Sequence, residues 1–126
     1  MEAAMKGAHE AKGLTIGILP TDNAQNSSDA ADIKILTGMG SARNMINVLS
    51  SHILVVIGMA AGTASEVALA IKANKKIILL HQDEITIRFF KNLGSYKIMV
   101  ANTIGETMQI IKDYLKVNHP TAHKAD

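Results

Sequence analysis

Two glycine-containing turns hold the residues whose types and spacing best suit chemistry. The first, TGMGSARN at residues 37–44, contains Gly38 and Gly40, which let the backbone approach a ligand closely. A helix starting there would offer free N–H groups to an anion, and Arg43 in its first turn opposes the helix dipole unless an anion pairs with it. The turn therefore predicts either an anion site or a tight turn with Ser41 as N-cap and Arg43 in water.

The second turn, GMAAGTASE at residues 58–66, lies between an apolar run and a helical pattern. Small residues in this position are typical of loops that cradle phosphate on backbone N–H groups. The turn has no Walker lysine and does not match G-x-G-x-x-G. Thr63 and Glu66 also have the spacing of a capping box, in which Glu66 would only cap the helix. Spacing alone favours this structural alternative.

The histidines predict less chemistry. His81 ends a predicted strand, but a lone histidine without a partner at ligand spacing does not indicate a metal, and we expect no metal site. His52 is predicted to be structural. Three others are predicted to lie on the surface: His9, His119 and His123. No arrangement of Ser, His and Asp predicts nucleophilic catalysis.

Composition narrows the classes of function. The 126 residues are 48% hydrophobic and 19% charged, with a net charge of +2, which predicts one compact folded domain. Without cysteine there is no disulfide, thiolate metal site or cysteine nucleophile. Aromatic residues make up 3% and tryptophan is absent, so a surface that stacks bases is excluded and no nucleic-acid partner is predicted.

The charge and apolar patterns predict a cytoplasmic protein with no membrane partner. The longest apolar stretch, residues 53–62, is too short to cross a bilayer, and we expect no signal peptide. The basic cluster of Lys72, Lys75 and Lys76 precedes a predicted strand. It is predicted to be a solvated patch rather than a binding surface.

The elements that must position the two turns alternate between strand and helix. Apolar runs predict strands at 14–19, 33–36, 52–57, 75–80 and 96–101. The strands at 14–19, 52–57 and 75–80 are predicted to be buried, because their apolar residues are continuous. Helical patterns lie at 1–12, 42–50, 63–73, 86–93 and 103–117. Gly13 and Gly94 are predicted helix stops, and Thr103 with Glu106 has capping-box spacing.

This alternation predicts an α/β fold, a parallel sheet of about five strands with helices on both faces. We expect a single ligand-binding domain at residues 1–117 and a polar tail at 118–126. Ligands of open parallel sheets bind at the carboxyl ends of the strands. Since both glycine-containing turns follow a strand, both are predicted to lie at that edge.

Three segments carry a resemblance to the LOG, or lysine-decarboxylase-like, superfamily, and within it most to the molybdenum cofactor carrier proteins. The segments are GLTIGILP at 13–20, TGMGSARNMI at 37–46 and GTASEVALAIKANKKIILL at 62–80. The resemblance continues more weakly through FFKNLG at 89–94 and the last helix. It covers nearly the whole chain.

The resemblance implies a Rossmann-like sheet that holds a phosphorylated ligand without chemistry, in a homo-oligomer. The implied ligand is molybdenum cofactor (molybdopterin), or otherwise an unknown nucleotide. The implied binding residues are Gly38, Gly40, Ser41, Arg43, Asn44, Gly58, Gly62, Thr63 and Glu66. No catalytic residue is implied for a carrier.

The resemblance also implies an alternative, a LOG-type phosphoribohydrolase that releases the base from nucleoside 5′-monophosphates. Arg43 matches the arginine of those enzymes, and Gly62, Thr63 and Glu66 match GTxxE in their PGGxGTxxE motif. In this reading Arg43 would orient the substrate and Glu66 would act on the ribose or assist a water.

Two departures from the enzymes favour the carrier. The PGG of the motif is replaced by residues 58–60 (GMA), whose side chains narrow the pocket. Relatives also begin with a further strand–helix–strand unit and a glycine-rich loop, so this sequence is expected to be truncated at its N-terminus relative to the family. Exposed sheet edges left by such a truncation would favour an oligomer. A third possibility is a remnant of the fold that binds nothing well.

Overall fold

The computed structural model describes residues 2–25 and 27–118. In chain order the helices and strands are α1 (Glu2–Glu10), β1 (Ile16–Leu19), β2 (Ile33–Leu36), α2 (Arg43–Ser50), β3 (Ile53–Ile57), α3 (Ala61–Lys72), β4 (Lys76–Leu80), α4 (Glu84–Gly94), β5 (Ile98–Ala101) and α5 (Ile104–Asn118). Short 3₁₀ turns, Gly40–Ala42 and Ser95–Lys97, precede α2 and β5. Each predicted element is present, and the α/β class is confirmed. The predicted polar tail lies, from residue 119 onward, outside the described residues.

The strands of the described residues pair in two sheets, and within each sheet they run parallel, as predicted. β1 pairs with β2, while β4 lies between β3 and β5. The chain divides accordingly into two compact units, residues 1–47 (unit 1) and 48–126 (unit 2). Apolar patterns identify strands but do not encode which strands pair, so this division is not visible in the sequence. A single domain over residues 1–117 stays a prediction.

A polar cluster lies at the start of the two paired strands of unit 1. The backbone N–H of Thr15 donates to Oδ2 of Asp32 at 2.7 Å. Nε2 of His9, a residue of α1, lies 2.9 Å from Oδ1, the other oxygen of the same carboxylate. These contacts tie α1 and β1 to the residue that precedes β2. His9 lies on the surface, as predicted, and its contact with Asp32 gives it a structural role.

The end of α1 differs from the prediction that Gly13 is its left-handed stop. Lys12 takes the left-handed conformation, with φ of 59°. The N–H of Gly13 donates to the carbonyl of Ala8 at 2.7 Å, and that of Lys12 to the carbonyl of His9 at 2.9 Å. This is a Schellman motif with Lys12 at C′ and Gly13 one position later.

The core of unit 2 has two layers, one on each face of its sheet. The larger layer packs α3 and α4 against the sheet and contains Val48, Val56, Val67, Ala70, Ile77, Leu79, Phe90 and Ile98. On the other face, α5 places Ile110 and Ile111 against buried β4 and β5 residues. β4 is therefore buried on both faces.

Two strands are less buried than the sequence predicts. In β3, Val55 is 39% and Ile57 is 71% exposed, because α5 covers β4 and β5 and leaves this face of the edge strand open. In β1, Ile16 is 50% exposed, since a two-stranded sheet with few packed side chains covers only part of each strand. Continuous apolar sequence predicted burial on both faces for these strands, and that prediction is wrong.

Lysine side chains satisfy carbonyl groups at the ends of elements in unit 2. Nζ of Lys75 donates to the carbonyls of Leu49 and Ser51, the end of α2, at 2.9 and 2.8 Å. Nζ of Lys76 donates to the carbonyl of Tyr96 at 3.2 Å. The prediction of a solvated patch is therefore wrong for Lys75 and Lys76, because free carbonyls at helix ends attract cations.

α4 ends at Gly94, the residue predicted to stop it. This glycine is buried. A Cβ at this position would lie 2.7 Å from Cγ2 of Ile71 in α3, so the glycine permits close packing of two helices. The predicted cap of α5 by Thr103 is confirmed, since the N–H of Glu106 donates to Oγ1 of Thr103 at 3.1 Å. Oε2 of Glu106 accepts from the N–H of Asn102, one residue before the N-cap, at 2.7 Å.

Candidate functional site

The turn from β3 to α3 leaves the sheet sharply. Gly58 has φ of +73°, a conformation that a side chain disfavours. Ala60 is extended, with φ of −138° and ψ of 172°, and serves as the N-cap of α3. The first intrahelical hydrogen bond joins the N–H of Ala64 to the carbonyl of Ala60 at 2.8 Å. The helix therefore begins at Ala61, two residues before Thr63.

The first turn of α3 presents N–H groups that the helix itself does not use. The N–H groups of Ala61, Gly62 and Thr63 precede Ala64, the first residue whose N–H donates to a carbonyl of the helix, and Ala60 offers no side-chain cap. A Cβ added at Gly62 would meet no described atom within 4 Å. Aligned peptide dipoles make this end of α3 positive, so the turn can accept an anion such as phosphate.

The capping box predicted for Thr63 and Glu66 is wrong. Thr63 occupies the third helical position instead of the N-cap, and both side chains are half-buried. The hydroxyl of Ser65 donates back to the carbonyl of Gly62 at 2.7 Å. The turn at residues 58–62 therefore leads into a helix that has no side-chain cap at its start. A phosphate-binding turn needs such free N–H groups.

The carboxyl ends of the three strands of unit 2 lie level with one another. Ile57 pairs with Leu80, and Leu80 pairs with Ala101. His81 therefore follows β4 directly beside Gly58. It is exposed, has φ of +51°, and donates its backbone N–H to the carbonyl of Ala101 at 2.8 Å. This edge of the sheet holds the open start of α3 and an exposed imidazole on the adjacent strand.

The glycine-containing turn of unit 1 uses its own backbone donors. The N–H of Gly38 donates to the carbonyl of Thr21 at 3.0 Å, and that of Gly40 to the carbonyl of Pro20 at 2.9 Å. The N–H of Met39 donates to Oγ1 of Thr37 at 3.2 Å. The free donors were predicted at the start of the following helix, but the N–H of Ala42 donates to the carbonyl of Met39 and that of Arg43 to the carbonyls of Gly40 and Ser41, so these two groups are not free. Both glycines are needed for their positive φ, 61° and 54°.

Because these backbone N–H groups are used within the turn, its side chains are the groups that remain to bind a ligand. Ser41 is exposed within the 3₁₀ turn, whose N-cap is Met39, so the prediction of Ser41 as N-cap is wrong. Arg43 begins α2 and is half-buried, while Asn44 is buried with a polar partner. A guanidinium and a hydroxyl are suited to bind oxyanions.

The nine sequence-predicted binding residues fall into two groups. Gly58, Gly62, Thr63 and Glu66 share one turn of unit 2. Residues 38–44 form the turn of unit 1. Sequence reasoning considered His81 only as a metal ligand and missed its conformation, because a histidine after a strand carries no signal of positive φ. No group of three or more His, Asp or Glu suited to a metal occurs in the part of the chain that the structure describes.

Solved structures of known proteins resemble this chain closely. The molybdenum cofactor binding protein of Rippkaea orientalis is 48% identical with a TM-score of 0.88, over 91% of this chain and 71% of that protein. The Moco carrier protein of Chlamydomonas reinhardtii is 47% identical with a TM-score of 0.85, over 93% of this chain and 71% of that one. These likenesses confirm the expected fold.

A sequence relative and a family model agree with the structural matches. An uncharacterised protein of Archaeoglobus fulgidus is 46% identical over 80 residues, which are 64% of this chain and 52% of that protein. The match thus spans about half the length of this curated relative. Residues 1–108 match the model of the SLOG cluster4 family, as the LOG-like segments predicted. The chain belongs to the SLOG cluster4 family.

Proposed function

We propose that this chain binds and carries molybdenum cofactor. The observation that carries the proposal is its 47–48% identity, over about nine-tenths of its length, to proteins described as molybdenum cofactor binding or carrier proteins. The open start of α3 supports it, since the cofactor bears a phosphate and backbone N–H groups at a helix start suit that group. A carrier protein needs affinity for its ligand, but it needs no general base because it catalyses no reaction.

The phosphate of the cofactor would accept hydrogen bonds from Ala61, Gly62 and Thr63. No side chain at the N-cap competes for these donors, and open space surrounds the Cα of Gly62. We retain the predicted binding residues, which are Gly38, Gly40, Ser41, Arg43, Asn44, Gly58, Gly62, Thr63 and Glu66. Of these, Arg43 would neutralise negative charge on the ligand.

Equilibrium binding of purified molybdenum cofactor to the chain tests the proposal, with Gly62→Ala as the informative variant. A methyl group beside the α3 donors would weaken binding about tenfold by keeping the phosphate at a distance. Because alanine favours helix over glycine by up to about 1 kcal/mol, Gly62→Ala would not lower the free energy of unfolding. A loss of affinity would then report the site and not the fold.

Gly105→Ala is the matched control. Gly105 is the second residue of α5, as Gly62 is of α3, but α5 is capped by Thr103. The control would gain similar stability and keep full affinity. Arg43→Ala would weaken binding. Absence of saturable binding by the unaltered chain would refute the proposal, and base release from AMP that Glu66→Gln abolishes would assign the hydrolase instead.

The proposal includes a homo-oligomer in the cytoplasm that recognises its ligand by the phosphate. One side of α4 and the turn after it supports the oligomer, because large apolar side chains stand exposed there. Their exposed fractions are 83% for Ile85, 57% for Phe89, 55% for Leu93 and 71% for Tyr96. Apolar side chains grouped in this way favour contact with another protein surface.

Among the described residues, no helix is long and apolar enough to cross a membrane.

A further inference from the structure

His81 holds a side chain in a backbone conformation that disfavours one. Its φ is +51°, and within residues 2–25 and 27–118 only two other residues besides glycine have positive φ, Lys12 and Asn74. Both of these are explained by helix ends. Asn74 follows α3 in a Schellman motif, with the N–H of Lys75 donating to the carbonyl of Ala70 at 2.9 Å. His81 follows a strand and has no such explanation.

The neighbouring strand shows what the fold alone requires at this place. Ile57 of β3 pairs with Leu80 of β4, so Gly58 and His81 follow equivalent positions on adjacent parallel strands. Both leave the sheet with positive φ, +73° and +51°. At the end of β3 the residue is glycine, which adopts this conformation without steric cost. At the end of β4 the chain carries an imidazole in spite of that cost.

The fold makes no visible use of the imidazole. His81 is exposed, and in the described structure its side chain has neither a hydrogen bond nor an ion pair. Its one contact of this kind is the backbone N–H to the carbonyl of Ala101, which glycine would make equally well. A strained residue whose exposed side chain makes no hydrogen bond or ion pair points to a function outside the fold.

We propose that the His81 side chain contacts the carried ligand and donates a ring N–H to its oxygen atoms. The inference rests on the proposed function. Adjacent strands lie about 4.8 Å apart, so His81 stands one strand from the turn that leads into the open start of α3. A ligand whose phosphate binds Ala61, Gly62 and Thr63 would have His81 as a second anchor from the same sheet edge. The imidazole would supply affinity that the backbone of α3 alone does not.

The test compares His81→Gly with Lys12→Gly in the full chain, since Lys12 also carries a side chain at positive φ, 59°. Both changes relieve a left-handed residue, so both are expected to raise the midpoint of thermal unfolding. Only His81→Gly is expected to weaken binding of molybdenum cofactor, by about tenfold as measured by equilibrium titration. His81→Asn, which tolerates positive φ and keeps an N–H donor, is expected to restore part of the affinity.

Each other outcome counts against the inference. Full affinity of His81→Gly, while the unaltered chain binds, would overturn it and leave the carrier function standing. A lower unfolding midpoint for His81→Gly would show that the imidazole supports the fold, which would overturn the argument from strain. Failure of the unaltered chain to bind would refute the carrier function and this inference with it.

Discussion

Asp32 shows how single hydrogen bonds set the charge state of unit 1. The backbone N–H of Thr15 is the main cause that lowers the pKa of Asp32 from its ordinary 3.8 to about 2, with His9 and the Thr15 hydroxyl adding to it. Oγ1 of Thr15 lies 2.8 Å from Oδ2 of the carboxylate. These donors favour the ionised form, so the folded chain binds a proton there less readily than the unfolded chain does.

The stability of the folded state is therefore expected to depend on pH through Asp32. A depressed pKa contributes stability that is complete above the unfolded value and is lost as pH falls from about 4 to about 2. Asp32→Asn should lower the urea midpoint near neutral pH and flatten its fall over this window. Urea unfolding at several pH values measures both effects.

Asp29→Asn provides the control for that change. Asp29 also lies in unit 1, but its carboxylate is solvent-exposed and 3.7 Å from the Nζ of Lys34. The same loss of charge at this position should leave the acid dependence close to that of the unaltered chain. If Asp32→Asn kept the full acid dependence, the Thr15 contacts would not be its source.

Some residue-scale features could be predicted from the sequence and others could not. The predicted cap at Thr103, with Glu106 three residues later, formed, whereas the same spacing at Thr63 and Glu66 produced no cap. Spacing does not fix where a helix starts, and Ala61 and Gly62 extend α3 by two residues before Thr63. The positive φ of His81 depends on how neighbouring strands end, which one residue type does not encode.

At the scale of elements, α3 and α4 meet at a glycine. A Cβ at Gly94 would lie 2.7 Å from Cγ2 and 3.2 Å from Cγ1 of Ile71, well inside ordinary contact distance. Ile71 also offers its carbonyl to Nζ of Lys97 at 2.6 Å, so it is held from two sides. Gly94 therefore sets the distance between the two helices.

Gly94→Ala is expected to destabilise the chain by about 1–3 kcal/mol, because overpacking forces side chains or helices to shift. The free energy of unfolding from urea titration measures the effect. Gly7→Ala is the control, since a Cβ at this α1 glycine meets no described atom within 4 Å and should instead stabilise the helix. A Gly94→Ala variant as stable as the unaltered chain would mean that α3 and α4 separate freely.

The sequence predicted the elements well because their patterns are local. Strand β2 was predicted at its observed bounds, and most other ends differ by one or two residues. The helix starts at Ala61 and Glu84 were predicted two residues too late, since small or polar residues there resemble turns. Which face of β3 is covered depends on α5, a distant segment, so the exposure of Ile57 was not predictable.

At the scale of the whole molecule, the two units differ in how much they bury. In unit 2, every residue from Ile77 to Leu80 is buried, between one layer of α3 and α4 and another of α5. Among the described residues of unit 1, α1 buries none, and four large side chains of its strands are 43–50% exposed, those of Ile16, Ile33, Ile35 and Leu36. In unit 1, polar contacts around Asp32 join α1 and the segment before β1 to the segment before β2.

Composition and the alternation of strand and helix patterns predicted the α/β class. They did not predict that unit 2 buries its apolar side chains more fully than unit 1 does. Ile33 and Ile78 are equally apolar, yet one is 43% exposed and the other fully buried. The difference comes from the helices that cover each strand, which are set by contacts between segments far apart in sequence. The predicted binding residues, likewise, could be placed after strands, but whether their N–H groups are free could not be read from glycine spacing.

This difference in burial predicts unequal local stability. Amide hydrogen exchange should be faster in β1 and β2 than in β4, because opening unit 1 exposes little apolar surface while opening β4 exposes both core layers. Mass spectrometry of peptides spanning residues 14–36 and 75–81 measures the difference. Equal protection of both segments would contradict the prediction, since it would mean that β1 and β2 open only together with β4.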